Sequence, residues 1–97
     1  MSGESGGLRI TEVRVSLQEE GRLRAFVSIT IDGCFAVRGM KIIKGEKGFF
    51  VAMPSRKKPD GTYQDMVHPI NPKARRHLED VILSAYRVEL EKNAVVR

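Results

Sequence analysis

The sequence predicts an α+β fold in which a single antiparallel sheet of about five strands, a meander plus a hairpin, carries one C-terminal helix. Three observations predict this class. Apolar and polar residues alternate between residues 9 and 43, as they do in half-buried strands. Turn signals separate the alternating runs. After Pro72 the apolar residues recur every three or four positions, which is typical of an amphipathic helix.

The chain length suits one domain. Residues 1–7 are rich in glycine and serine and predict a flexible leader, native or added. Residues 8–93 form the predicted sheet-plus-helix domain, and residues 94–97 a C-terminal tail. A chain of 97 residues buries only a modest core. We therefore expect a homodimer, formed through a sheet edge or through the exposed sheet face.

The first three strands follow from the alternation. The first begins after Arg9, and the second covers residues 23–31, where apolar residues occupy the odd positions and Phe26 joins the opposite face. Asp32-Gly33 is typical of a two-residue hairpin turn. The third strand covers residues 34–43, with a bulge expected at Gly39. Together these strands predict an antiparallel meander.

A second hairpin is predicted from residues 49–53 and 63–67, which flank a loop. Prolines cannot donate ladder hydrogen bonds, so Pro54 and Pro59 should direct this loop out of the sheet. The tip, Pro59-Asp60-Gly61, combines a preset φ, a side chain that bonds its own backbone and a residue that accepts positive φ. The pattern therefore predicts a projecting loop with a tight turn.

The C-terminal helix has the best-defined start in the chain. Asn71 is a favourable N-cap, and Pro72 suits the first helical position because its missing N–H would be unpaired there. The predicted apolar stripe consists of Ala74, Leu78, Val81, Ile82, Ala85 and Leu90. Burying a large member of this stripe contributes about 1.5–3 kcal/mol, which should dock the helix on the sheet. No clear stop precedes Asn93.

Positive charge is concentrated around this loop and helix start. The chain has 17 basic and 12 acidic residues, a net charge of +5. Residues 53–77 hold a net +4 of this charge, from six basic and two acidic side chains. The six cations are Arg56, Lys57, Lys58, Lys73, Arg75 and Arg76. This concentration indicates a site for a polyanion, and the alternative is a solvated turn beside a charged helix start.

Catalysis and metal binding find little support. Cys34 follows a hairpin turn without an identifiable base, and is typical of a small apolar filler. His68 lies near Asp65, but the two should point to opposite faces of a strand, so we expect a capping or packing role. His77 should be solvated on the polar side of the helix. We predict no enzyme activity, no catalytic residues, no metal and no cofactor.

The cations instead favour nucleic-acid binding. Arg56, Lys57 and Lys58 can contact a phosphate backbone from the loop. Lys73, Arg75 and Arg76 lie at a helix N-terminus, where free N–H groups and the dipole also suit phosphate, although cations there oppose the dipole. Tyr63 is either a base-stacking residue or a cross-strand packing residue. The chain contains no apolar run of about 20 residues that could span a membrane, and its single cysteine suits the cytoplasm.

The central segment resembles the signature of the stage V sporulation protein G family of septation proteins. The matching residues are Ala52-Met53-Pro54-Ser55-Arg56-Lys57, Pro59-Asp60-Gly61, Asp65 and His68-Pro69-Ile70-Asn71. The resemblance extends from Leu8 to about Tyr86. The chain departs from the family pattern at Lys58, where threonine is usual, and at Gln64, where a basic residue is frequent.

This resemblance implies a small bacterial cytoplasmic protein that forms dimers and binds specific DNA sites, with RNA binding in some members. It implies that Arg56 and Lys57 carry the nucleic-acid contact and that the protein regulates septation, sporulation or virulence genes. We therefore expect a non-enzymatic nucleic-acid-binding regulator. The alternatives are a protein–protein adaptor of the septation machinery that does not bind nucleic acid, and a module specific for single strands or RNA.

Overall fold

The computed structural model describes the backbone of residues 8–96 and the side chains of residues 8–93, so the predicted leader lies outside the described residues. Within residues 8–96, six strands precede one helix. They are β1 (Ile10–Glu20), β2 (Leu23–Ile31), β3 (Phe35–Gly45), β4 (Gly48–Ala52), β5 (Ser55–Lys57), β6 (Tyr63–Asp65) and α1 (Pro72–Val96). The predicted α+β class with one C-terminal helix is confirmed.

Strands β1 to β4 form an antiparallel main sheet in the order β1-β2-β3-β4, while β5 and β6 form a separate two-stranded sheet. The predicted meander is therefore correct and gains a fourth strand. The predicted pairing of residues 49–53 with residues 63–67 is wrong: β4 pairs with β3, and β6 pairs with β5. Since β5 begins directly after Pro54, residues 55–65 fold back on themselves rather than on β4.

Two predicted backbone features shape the main sheet. Asp32 and Gly33 both have positive φ, 57° and 68°, as a primed hairpin turn requires. Gly39 has φ of 90° and lies where the β2–β3 register shifts, so the predicted bulge is confirmed. The bulge changes the side-chain alternation, and Val37 and Met40, three residues apart, are both buried.

The helix covers one face of the main sheet and creates the core. The buried residues are Ala25, Val27, Ile29, Val37, Met40, Ile42, Val51, Met53, Leu78, Ile82 and Tyr86. Leu78 and Ile82 confirm the predicted stripe, but Leu90 is 42% exposed and Tyr86 takes the buried position instead. The Tyr86 ring packs edge-on against Phe49, with 5.5 Å between centroids. The helix therefore follows the i, i+4, i+8 positions 78, 82 and 86.

The opposite side of the main sheet, called here the outer face, carries the residues that alternate with the core. It includes Arg14, Ser16, Phe26, Ser28, Lys41 and Phe50. Phe26 is 42% exposed and Phe50 44% exposed, and the prediction that Phe26 lies on the second face is confirmed.

The helix differs from expectation at its C-terminal end and in the surroundings of one side chain. The helix starts at Pro72, as predicted, and continues beyond Asn93 to Val96. His77, predicted to be solvated, is half-buried, and its Nε2–H donates to the carbonyl oxygen of Leu8 at 3.0 Å. That contact fastens the start of the helix to the segment that leads into β1.

Candidate nucleic-acid interface

The central basic segment forms a projecting hairpin, called here the arm, that comprises residues 55–65. Its strands pair Ser55 with Asp65, Arg56 with Gln64 and Lys57 with Tyr63. The Met66 N–H donates to the Pro54 carbonyl at 2.7 Å and closes the base of the arm. The prediction that the loop leaves the main sheet is confirmed, and the arm has backbone pairing of its own.

A hydrogen-bonded turn closes the tip of the arm. The Gly61 N–H donates to the Lys58 carbonyl at 2.9 Å, and the Lys58 N–H donates to the Thr62 carbonyl at 2.7 Å. Pro59 is the second residue of the turn, a position that favours proline, and Gly61 has φ of 93°, which suits glycine. The tip is therefore a short turn with defined geometry, directly beside the three cations.

Asp60 reinforces this turn through its side chain. Its Oδ1 accepts the Thr62 N–H at 3.0 Å and the Thr62 hydroxyl at 2.7 Å. Both bonds favour the charged carboxylate, with the backbone bond the larger contribution, and they lower the pKa of Asp60. At neutral pH the Asp60 carboxylate is thus occupied within its own turn.

Arg56 and Lys57 lie on opposite faces of the arm. Paired residues share a face of the hairpin, so Arg56 lies with Gln64 on one face, while Lys57 lies with Tyr63 on the other. Tyr63 is 70% exposed, so this ring is not part of the core, and its cross-strand neighbour is Lys57. A strand of nucleic acid on the Lys57 face would meet a cation and an exposed aromatic ring together.

None of the three arm cations forms an ion pair with any described carboxylate. The ion pairs of the described side chains join Arg9 to Asp32, Arg14 to Glu12 and Arg75 to Glu79. Arg56, Lys57 and Lys58 are all exposed. Their charge is consequently available to an external anion.

The helix start supplies the second group of cations. The Asn71 Oδ1 accepts the Ala74 N–H at 2.7 Å, so Asn71 is the predicted N-cap. Lys73, Arg75 and Arg76 are exposed, and the first turn contains no acidic residue.

The six predicted contact residues thus occupy two neighbouring elements. Residues 66–71 join the arm to the helix, and no hydrogen bond or ion pair links the two groups of cations among the described side chains. Arg75 also approaches Glu79, with 3.4 Å between Nη1 and Oε2, and because the two side chains are only 45% and 27% exposed this pair reduces the availability of Arg75. The arm is therefore the stronger candidate for the anchor.

An apolar groove beside the arm was not predicted from the sequence. The groove has a volume of about 450 Å³ and lies between the helix start, one end of the main sheet and residues 67–71. Ile70 is 85% exposed and Val67 44% exposed at its margin. The sequence signal for the groove is the presence of these two apolar residues in a segment that has neither a strand pattern nor a helix pattern.

The residues considered for catalysis remain isolated. The His68 Nδ1–H donates to the carbonyl of its neighbour Pro69 at 3.1 Å, and Cys34 is exposed rather than a buried filler. Within residues 8–96, no group of three His, Cys, Asp or Glu side chains is arranged to hold a metal ion. In the same part of the chain, no helix is both long and apolar enough to cross a membrane.

Comparison with known proteins agrees with the sequence motif. The SpoVG family model matches residues 8–88. A relative from Bdellovibrio bacteriovorus, named "Putative septation protein SpoVG", is 50% identical over 84 residues, 87% of this chain and 78% of the relative. Relatives with the same name from Lachnospira eligens and Agathobacter rectalis are 54% and 48% identical, over 81% and 87% of this chain and 91% and 98% of their own lengths. The chain belongs to the SpoVG family.

Proposed function

We propose that this protein is a non-enzymatic regulator linked to septation or sporulation that binds duplex DNA through its arm. The observation that carries the proposal is the presence of three exposed cations, Arg56, Lys57 and Lys58, which have no ion-pair partner among the described side chains and lie on a hairpin that leaves the main sheet. The septation link comes from the names of its relatives. Cations that neutralise phosphates release counterions, which drives binding to DNA without requiring a specific sequence.

The helix start supplies the second set of contacts. Lys73 and Arg76 are exposed beside a helix N-terminus whose N–H groups suit phosphate oxygens. Cations at this end oppose the helix dipole, so they do not serve helix stability. Their position supports a role in contacting a ligand.

A homodimer would bring two arms to one duplex. Strand β1 pairs only with β2 within the described residues, which leaves an eleven-residue edge, and the groove adds an apolar surface. Both features favour self-association. Two arms on one DNA molecule would double the number of phosphate contacts and increase the salt dependence of binding.

An adaptor of the septation machinery is the second candidate function. The apolar groove supports it, because Val67 and Ile70 expose apolar surface at its margin, and such a surface suits a protein partner. In that case the arm would contact an acidic region of the partner instead of DNA.

Fluorescence anisotropy against duplex DNA across a salt series tests the proposal. The Arg56→Ala/Lys57→Ala/Lys58→Ala variant should weaken binding. It should also reduce the slope of log K against log salt by about 0.9 for each phosphate that the variant no longer neutralises, up to about 2.7. The matched control is Lys47→Ala/Arg87→Ala/Lys92→Ala, which removes the same charge from exposed positions outside the arm.

Two results would contradict the proposal. Equal slopes for the two triple variants would show that net charge, rather than the arm, drives binding. Failure of the wild-type protein to bind duplex DNA at low salt would exclude DNA binding through the arm, and failure to bind any nucleic acid would favour the adaptor. A pull-down with an acidic partner would then be the next experiment.

A further inference from the structure

We propose that the outer face of the main sheet is a second nucleic-acid site, specific for single-stranded RNA and separate from the arm. Within the described chain the helix covers the other face, and the outer face presents two half-exposed phenylalanines, Phe26 and Phe50. Neither ring belongs to the buried core. An open antiparallel sheet with aromatic rings on its free face is a surface on which unpaired bases stack.

The register places the two rings at a useful separation. Phe26 pairs with Lys41, which pairs with Ala52, and Phe50 lies two residues before Ala52 on β4. Two strand spacings and two residue rises put the two Cα atoms about 12 Å apart. A duplex cannot stack its bases on such rings, whereas a single strand can place separate bases on each.

Cations surround the aromatic positions. Arg14, Phe26 and Arg38 line one shallow depression of about 260 Å³, and Lys41 pairs directly with Phe26 in the register. Arg38 and Lys41 have no ion-pair partner among the described side chains. This face is therefore positively charged and complementary to a phosphate backbone.

Arg14 is the one cation of this depression that is paired among the described side chains. Its Nε lies 3.0 Å from the Glu12 Oε2, and the two side chains are 77% and 51% exposed. Exposed pairs of this kind are weak and exchange readily with other partners. Arg14 thus remains available to a phosphate, and Glu12 marks the margin of the site.

Two hydroxyl groups favour RNA over single-stranded DNA. Ser16 and Ser28 line the same depression as Phe26. A serine hydroxyl can both donate to and accept from a ribose 2′-OH, which DNA lacks. The surface thus offers a stacking ring, phosphate-binding cations and 2′-OH partners within one depression.

The test compares three labelled ligands by fluorescence anisotropy: oligouridine RNA, oligothymidine DNA and duplex DNA. Each stacked base typically contributes about 5- to 150-fold in affinity. Phe26→Ala/Phe50→Ala should therefore weaken RNA binding at least tenfold and leave duplex binding unchanged. Phe35→Ala, which removes a 67% exposed ring outside the outer face, is the matched control and should change neither.

Because ring removal can also affect folding, Arg38→Gln/Lys41→Gln provides a second variant that leaves both rings intact. It should weaken RNA binding and reduce its salt dependence. For the wild-type protein, NMR shift changes on adding oligouridine should map to β2, β3 and β4 rather than to the arm. Wild-type protein should bind oligouridine more tightly than oligothymidine.

The outcomes separate this site from the proposed function. Duplex binding without RNA binding would overturn the inference and leave the arm proposal intact. RNA binding without duplex binding would overturn the arm proposal and leave the inference intact. Shift changes confined to the arm would overturn the inference. So would shift changes on β2 to β4 that follow protein concentration without RNA, because a second copy of the chain would then occupy the face.

Discussion

Asp60 controls the local geometry of the arm. Its carboxylate accepts two hydrogen bonds from Thr62, and these bonds lower its pKa below the ordinary value of 3.8. A group with a lowered folded-state pKa contributes its stabilisation above the ordinary pKa and loses it as the pH falls through the lowered value. The turn should therefore remain intact at neutral pH and loosen only in acid.

This gives a prediction for an NMR titration. The Thr62 amide shift should report the protonation of Asp60 with a midpoint below pH 3.8, because the two donated bonds favour the carboxylate. In Asp60→Asn an uncharged acceptor replaces the carboxylate, so the Thr62 shift should not titrate. A wild-type midpoint at or above 3.8 would mean that these bonds do not persist in solution.

His77 shows where reasoning about single residues fails. Its helical position is on the side expected to face solvent, yet the ring is half-buried and donates to the carbonyl of Leu8. The partner is 69 residues away in the chain. Helical periodicity describes only the helix's own faces, and the segment before β1 determines what this ring meets.

At the scale of elements, the helix start is a local device that the sequence predicts well. The Asn71 side chain accepts the Ala74 N–H at 2.7 Å, and Pro72 follows in the first helical position. Both effects depend on residues within one turn of each other. No tertiary contact is needed to produce them.

Replacing this cap should destabilise the protein. We expect Asn71→Ala to reduce the free energy of unfolding by about 1 kcal/mol, since the Ala74 N–H loses its acceptor. Urea denaturation measures the change. Asn71→Asp restores an acceptor oxygen and should be close to wild type, so equal losses in both variants would assign the effect to something other than capping.

The arm is an element that the sequence predicts only in part. Pro54 and Pro59 correctly indicate that the loop leaves the main sheet, but β6 pairs within the arm rather than with β4. Short strands carry little pairing information of their own. Strand β4 pairs with β3 across the two-residue turn Glu46-Lys47, a contact much closer in sequence than any with β6.

At the scale of the whole molecule, the exposed surfaces favour association. A 97-residue chain buries only a modest core. In the described structure, Val67 and Ile70 are exposed at the margin of the apolar groove. Two edges of the described main sheet, at β1 and β4, add unpaired backbone. We therefore expect a homodimer.

Light scattering after size exclusion should give twice the monomer mass of 10.9 kDa at micromolar concentration. Ile70→Asp places a charge at the groove margin, and it should shift the protein toward monomer if the groove is the interface. A dimer unaffected by this change would point to a sheet edge. A monomeric wild-type mass would refute the dimer and leave each duplex contact to a single arm.

The sequence by itself determined the features that depend on neighbouring residues: the alternation of β1 to β3, the turn at Asp32-Gly33, the bulge at Gly39, the cap at Asn71 and the concentration of positive charge in residues 53–77. Only the tertiary structure decided how β4 and β6 pair, which helix residue packs against Phe49, and how the groove and the outer face form. The physical reason is distance along the chain. Local conformation follows from steric and hydrogen-bonding preferences within a few residues, whereas pairing and burial depend on which distant surfaces pack together.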